Sequence, residues 1–451
     1  MPDISFGSKA HKISYGSLKC EDRQTFLAWV PRHGIRGLRA LQLFGAESIF
    51  NFEDCADLRG AAMAFRVLSL DGGGSWALIE VRALIALYDD KTTGHEVLSD
   101  FDLVAANSGG SLVLGGLVEN LSLGDLLGYF EDETKRKSIY SPVSSLTDWA
   151  VREVTGLGPK YSEEAKLHAI EQLLPKSGDV LLTAAVNGVR RNGTGKDVHL
   201  LIISFDYDRK RAKFFRSAAA GGGPTWGEGA PAVVTLAEAI HASANPPVNY
   251  FDKPATFPVH PGRYWDGGIA GCNNPVLAAV SEALALGQAP KDIAALSVGT
   301  ATVVLPLRQT GEPTSPYTQA MTDQGLVTDI GKLARSILDD PPDIASYLAY
   351  VMTGAAAPSR VVRMNPLISP LGTPGNWRAP TGMTAARFTY LANLDMDAVE
   401  QPQVNAIANL ADSWLQDNVR NQPIRMNGDT LACELGSEWF SDAVAAWRKI
   451  K

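Results

Sequence analysis

A chain of 451 residues with 45% apolar composition can bury a large core, and its net charge of −8 argues against a nucleic-acid partner. Four widely spaced cysteines (Cys20, Cys55, Cys272, Cys433) form no CxxC pair. That argues against a zinc site or disulfide scaffold and fits a reducing, cytoplasmic setting with no metal or cofactor.

Residues 1–63 read as an irregular, partly helical extension, and the stretch MPDISFGSKAHKISYG lacks the apolar core of a signal peptide. Order begins near Ala64. Phe65–Leu70 is a short β-rich run that stops at glycines, so it predicts a strand. Trp76, Ile79, Leu84, Leu87 and Tyr88 then recur at the spacing of a helix packed on a sheet. Phe101–Ala106 predicts the next strand, with Asp102 interrupting it, and Gly109–Leu117 a helix lying close to the sheet. The whole run 101–118 is apolar but is broken by Asn107, Ser108 and four glycines, so it is not a membrane span, and any membrane contact should be peripheral. Leu123–Lys135 is partly amphipathic and reads as a surface helix or lid.

Val198–Phe205 predicts a buried strand, Thr235–Ser243 a helix that stops before Pro246-Pro247, Arg263–Trp265 a strand end, and Ile293–Val298 another strand. Strands alternating with helices imply an α/β fold: a three-layer α/β/α arrangement around a mostly parallel sheet. Ligands in such folds bind beyond the carboxyl ends of the strands. Residues 64–305 form the expected core. Residues 306–451 read as an elaboration packed on it, with helices at Leu326–Leu348 and Gln403–Asp417 and a strand at Arg360–Met364.

Three pieces follow predicted strands: Asp71-Gly72-Gly73-Gly74, Asn107-Ser108-Gly109-Gly110 and Asp266-Gly267-Gly268. Acyl transfer through a serine needs a nucleophile, a base and backbone donors for the oxyanion, and these pieces offer all three. Ser108 on a sharp strand-to-helix turn would be presented to a bulky carbonyl, with the helix N-terminus aimed at the reaction centre. Glycines 72–74 let backbone N–H groups approach a ligand without a Cβ in the way. Asp266, in an aromatic setting, could act as general base. A Ser–His–Asp rival would use Ser108, Asp206 or Asp208, and His260. Leu112, Trp76, Tyr250 and Phe251 are candidates to line an apolar trough.

Taken together and in this order, the pieces resemble the patatin-like phospholipase family, whose members carry DGGGxRG, then GxSGG, then DGG or DGA. Here they read DGGGSWA (Asp71–Ala77), ANSGG (Ala106–Gly110) and DGG (Asp266–Gly268). Ala242–Pro247 with Tyr250-Phe251, Asn273-Asn274-Pro275 and Ser297–Thr300 are similar to further family segments, so the resemblance covers roughly 64–301. It implies a serine lipid acyl hydrolase of phospholipase A or lysophospholipase type. Ser108 would be nucleophile, Asp266 base, and Gly72, Gly73, Gly74 and Gly109 the oxyanion hole. The implied partners are a phospholipid or other acyl-lipid substrate and, transiently, a membrane surface. Three positions depart from the pattern: Trp76 stands for Arg or Lys, Ala77 for Gly, and Ala106 for Gly. Trp76 and Ala106 favour the alternative, an inactive scaffold that binds lipid or signals. Headgroup, chain length and oligomeric state are left open by the sequence.

Overall fold

In a computed structural model, residues 63–142, 159–217, 233–247, 250–257, 262–320 and 342–450 are described. The expected N-terminal extension, His260 and most of the helix expected at 326–348 lie outside them.

The first half alternates as anticipated. Strand β1 (Phe65–Leu70) leads through one 3-10 turn into α1 (Leu78–Tyr88), then α2 (Gly94–Leu98), β2 (Leu103–Asn107) and α3 (Ser108–Val118). Helices α4 (Leu123–Glu131), α5 (Glu133–Ile139) and α6 (Glu163–Leu173) precede β3 (His199–Asp206) and β4 (Arg211–Arg216). Helix α7 (Leu236–Ser243), β5 (Ala255–Thr256), β6 (Arg263–Asp266), α8 (Val276–Ala285) and β7 (Ile293–Val298) follow. The later region supplies β8 (Thr302–Val303), α9 (Pro342–Met352), β9 (Val361–Met364), β10 (Leu367–Ile368), α10 (Ala385–Ala392), α11 (Gln401–Leu415) and α12 (Phe440–Ile450).

The central sheet runs β5-β6-β3-β2-β1-β7-β9, with β4 also paired to β3. Strands β3, β2, β1, β7 and β9 are mutually parallel, whereas β4 and β6 run antiparallel to β3 and β5 antiparallel to β6. Strand side chains alternate between two faces. Leu68, Leu70, Val104, Ala106, Ile202 and Val298 pack with α1, α3, α7, α11 and α12. Val67, Leu103, Ala105, Leu201, Ile203 and Ala295 pack with α8 and α9. Both faces are covered, which is why these strands read as continuous apolar runs rather than alternating ones. The result is a three-layer α/β/α fold, and Met63–Lys451 form one compact unit. Strand β9, from beyond residue 305, extends the same sheet beside β7.

One detail of the sheet decides where the site forms. On β3, residues Ser204–Asp206 pair with both β4 and β6, while Leu201–Ile203 pair with both β4 and β2. A strand has two edges, so β2 and β6 must share one of them. Asn107 lies opposite Ile203 and Asp266 opposite Ser204. The ends of β2 and β6 therefore meet head-on along β3.

Candidate active site

That abutment brings Ser108 and Asp266 together. Ser108 leaves β2 with φ of +47°, in the left-handed region that a non-glycine residue seldom occupies. Its N–H donates to Ser243 Oγ at 2.9 Å. Its side chain comes near enough to the Asp266 carboxylate to help lower that group's pKa. Asp266 Oδ1 accepts from the Gly268 N–H at 2.8 Å and from Asn107 Nδ2 at 3.2 Å. Burial pushes the Asp266 carboxyl above its usual range, and those three groups, with the nearby Lys166 charge, pull it back down.

The glycines are demanded by close packing. A Cβ on Gly109 would lie 2.6 Å from Gly74 O, and one on Gly110 2.5 Å from Leu70 O, so α3 can approach the 72–74 loop only with glycine at both positions. Ala106 needs no such allowance. It sits inside β2 opposite Leu70 and Ile202, its methyl buried in the core, so the departure from glycine is absorbed by the sheet.

The three loop glycines are not equivalent. The Gly72 N–H donates to Asn273 O at 2.8 Å, so it is spent on holding the loop and is unavailable to an oxyanion. This corrects the expectation that all three would donate. The N–H groups of Gly73, Gly74 and Gly109 have no acceptor among the described residues. The loop itself is tied down: Thr300 Oγ1 donates to Gly72 O at 2.6 Å, and Ser75 N–H to Met396 O at 3.1 Å.

Ser108, Gly74 and Gly109 open onto a narrow pocket walled by Leu112, Tyr250, Phe251 and Met396. A second, larger pocket shares Gly74, Leu112, Ile139 and Tyr140 with the first and is lined further by Leu126, Phe130, Ile170 and Leu174. Leu112, Tyr250 and Phe251, the trough candidates, line the first pocket together with Ser108. Trp76 does not: it lines neither cavity, and its indole Nε1 donates to Asp395 O at 3.0 Å, an anchor for the 394–397 segment. The segment expected as a surface or lid helix is two helices, α4 and α5, whose inner residues Leu126, Phe130 and Ile139 wall the second cavity.

The rival acids are engaged elsewhere. Asp206 accepts from Arg209 Nη1 at 2.7 Å, and Asp208 pairs with Arg263. His241 is buried, with Nε2 2.8 Å from Glu163 Oε1. Asp102, unassigned from the sequence, takes the Arg66 N–H at 2.7 Å and Arg191 Nε at 3.2 Å.

Sequence reasoning missed a fully buried cation. Lys166 Nζ donates to His241 O (3.1 Å), Ala244 O (2.8 Å) and Asn245 Oδ1 (2.6 Å), fixing the turn whose Asn245 carbonyl accepts the Asp266 N–H at 3.0 Å. Burial holds its amine well below the usual lysine range. The signal was available: Lys166 falls three and four residues before Ala169 and Ile170, on the face of α6 that should be apolar.

Residues 68–280 match the model of the patatin-like phospholipases. This segment is a patatin-like phospholipase domain. It contains the end of β1, the glycine loop, Ser108 and Asp266. An intracellular phospholipase A2 of Caenorhabditis elegans is 33% identical over 85 residues, which is 18% of this chain and 8% of that protein. VipD from Legionella pneumophila superposes with a TM-score of 0.29 at 11% identity, covering 77% of this chain and 66% of that one, a likeness too distant to bear on fold or function. Within the described residues of the patatin-like domain and its surroundings, no helix is long and apolar enough to cross a membrane.

Proposed function

We propose that the protein hydrolyses fatty-acyl esters of phospholipids through an acyl-enzyme on Ser108. The observation that carries this reading is the abutment of β2 and β6, which sets a strained, cavity-facing serine beside a buried carboxylate inside a patatin-like phospholipase domain. Asp266 takes the hydroxyl proton as Ser108 Oγ attacks the acyl carbonyl. The oxyanion of the tetrahedral intermediate receives the N–H groups of Gly73, Gly74 and Gly109; losing one such donor typically costs about 3 kcal/mol. Collapse expels the alcohol, which takes the proton back from Asp266. A water molecule then repeats the cycle on the acyl-enzyme, giving its proton to Asp266 and releasing the fatty acid. The apolar walls of the two neighbouring pockets support an acyl chain as the group held beside Ser108.

Labelling with a fluorophosphonate probe tests this cheaply. Wild-type protein should form a covalent adduct, and Ser108→Ala should form none. A folded wild type that stays unlabelled would leave the inactive lipid-binding scaffold as the better account.

A further inference from the structure

The patatin-like match ends at residue 280, yet a side chain from β9 reaches the glycine loop. Arg363 is buried. Its Nη2 donates to Asp71 Oδ2 at 2.6 Å, its Nη1 to Ser297 Oγ at 2.8 Å, and its Nε to Gln422 Oε1 at 3.3 Å. The path from β9 to the end of β1 crosses Gly299, where a Cβ would lie 2.6 Å from Nη2, so glycine is what lets the guanidinium through.

Asp71 is more than a place to park a charge. Its N–H donates to Glu80 Oε1 at 2.6 Å, and its carbonyl accepts the Gly110 N–H at 2.9 Å. The residue therefore joins the start of the glycine loop to the first turn of α3, two residues beyond Ser108. Around it lie two carboxyl groups and one cation, with Asp71 Oδ1 and Glu80 Oε2 both buried and without a partner. Burial lifts the Asp71 carboxyl to about 6 against the pull of Arg363, and burial with the Asp71 charge lifts Glu80 well above its usual range. Asp71 thus has an ion-pair partner, while Glu80 is pushed toward its neutral form. Without the guanidinium, nothing charged would fix the Asp71 carboxylate in a place closed to water.

We propose that Arg363 is a positioning residue for the oxyanion loop: by gripping Asp71 it sets the Gly73 and Gly74 donors against Gly109 and Ser108. This rests on the acyl-hydrolase reading above. It makes the region after residue 305 a working part of the site rather than an appendage.

The test uses the full chain with Arg363→Lys, Arg363→Met and the double variant R363M/D71N, which removes the cation and its charged partner together. Fluorophosphonate labelling per folded site should slow at least tenfold in R363M and the double variant. With a short nitrophenyl ester the loss should fall on kcat, with KM within about twofold. Arg363→Lys, which keeps the charge but not the planar fork, should recover only part of the rate. Hydrogen exchange should quicken several-fold in the peptide 70–77 and stay at the wild-type rate in β3. Unchanged labelling rates, or exchange that quickens equally in β3, would reduce Arg363 to a core residue. Should wild type prove unreactive, the acyl-hydrolase reading falls, and an unchanged 70–77 exchange rate would still refute the grip on the loop.

Discussion

Two aspartates end strands of the same sheet on either side of Ser108, and both are buried, yet they live in opposite company. Asp71 faces a guanidinium supplied from β9. Among the described residues, Asp266 is hydrogen-bonded by neutral donors, a backbone N–H and a side-chain amide, with the Ser108 hydroxyl nearby. Burial raises both carboxyl groups, but only one has a permanent counter-charge at contact distance. A carboxylate that must accept and return a proton is best served by donors that do not lock it in the ionised form. A carboxylate that must stay put is best served by a forked cation. Lys166, whose charge reaches Asp266, directs its hydrogen bonds to the turn rather than to the carboxylate.

The comparison breaks if the two aspartates respond alike. Asp266→Asn is expected to lower kcat on the order of a thousandfold while leaving the melting temperature nearly unchanged, as removal of a catalytic base does. Asp71→Asn should do the reverse, costing about 3–5 kcal/mol of stability by stranding Arg363 without its partner, with a much smaller loss of kcat per folded molecule. Paired kinetics and urea unfolding on both variants decide it. Near-normal turnover in Asp266→Asn would remove the dyad from the account.

A second measurement sharpens the contrast on the Asp266 side. His241, packed between Glu163 and Lys166, has its pKa lowered to about 4 by burial first and the Lys166 charge second. An ordinary unfolded histidine titrates near 6.5. The folded state therefore resists protonation, so this contribution is fully present above about pH 6.5 and is lost as pH falls through 4. The loss amounts to roughly 3 kcal/mol. Urea unfolding between pH 7 and pH 4 should show His241→Gln losing correspondingly less stability than wild type. Parallel pH slopes would mean the histidine is not held neutral.

The smallest expected effect touches neither carboxylate and so serves as a control. Leu126→Trp should fill the second cavity and shift preference from long toward short acyl esters by about tenfold, a scale set by a methylene or two of apolar contact. Rates on a nitrophenyl ester series check this, and a uniform loss on all chain lengths would deny the cavity its role.

Much of this was legible in the chain. The strands β1, β2, β3 and β7 announce themselves as apolar runs ended by glycine or a polar residue, because a strand covered on both faces must be apolar throughout. The glycine loop, the serine turn and the Asp-Gly-Gly turn are local conformational demands, and local demands are written in adjacent residues. What could not be read was contact between distant residues. The antiparallel run of β6, which sets its end against β2, depends on hydrogen-bond partners chosen by the whole sheet. The loss of Gly72 as a donor depends on where Asn273 folds back. The anchoring of Trp76 depends on Asp395, 319 residues away, and the grip on Asp71 on Arg363, 292 residues away.

The sequence by itself therefore determined the order of elements, the candidate nucleophile and base, and the glycines that permit close approach. Each of these follows from a residue's own backbone freedom, charge or apolar surface. Only the tertiary structure decided which backbone donors are already engaged, which carboxylate meets a guanidinium, and that β9, from beyond residue 305, extends the sheet. Burial and pairing are properties of a shared space, and residues hundreds of positions apart meet there only once the chain has folded.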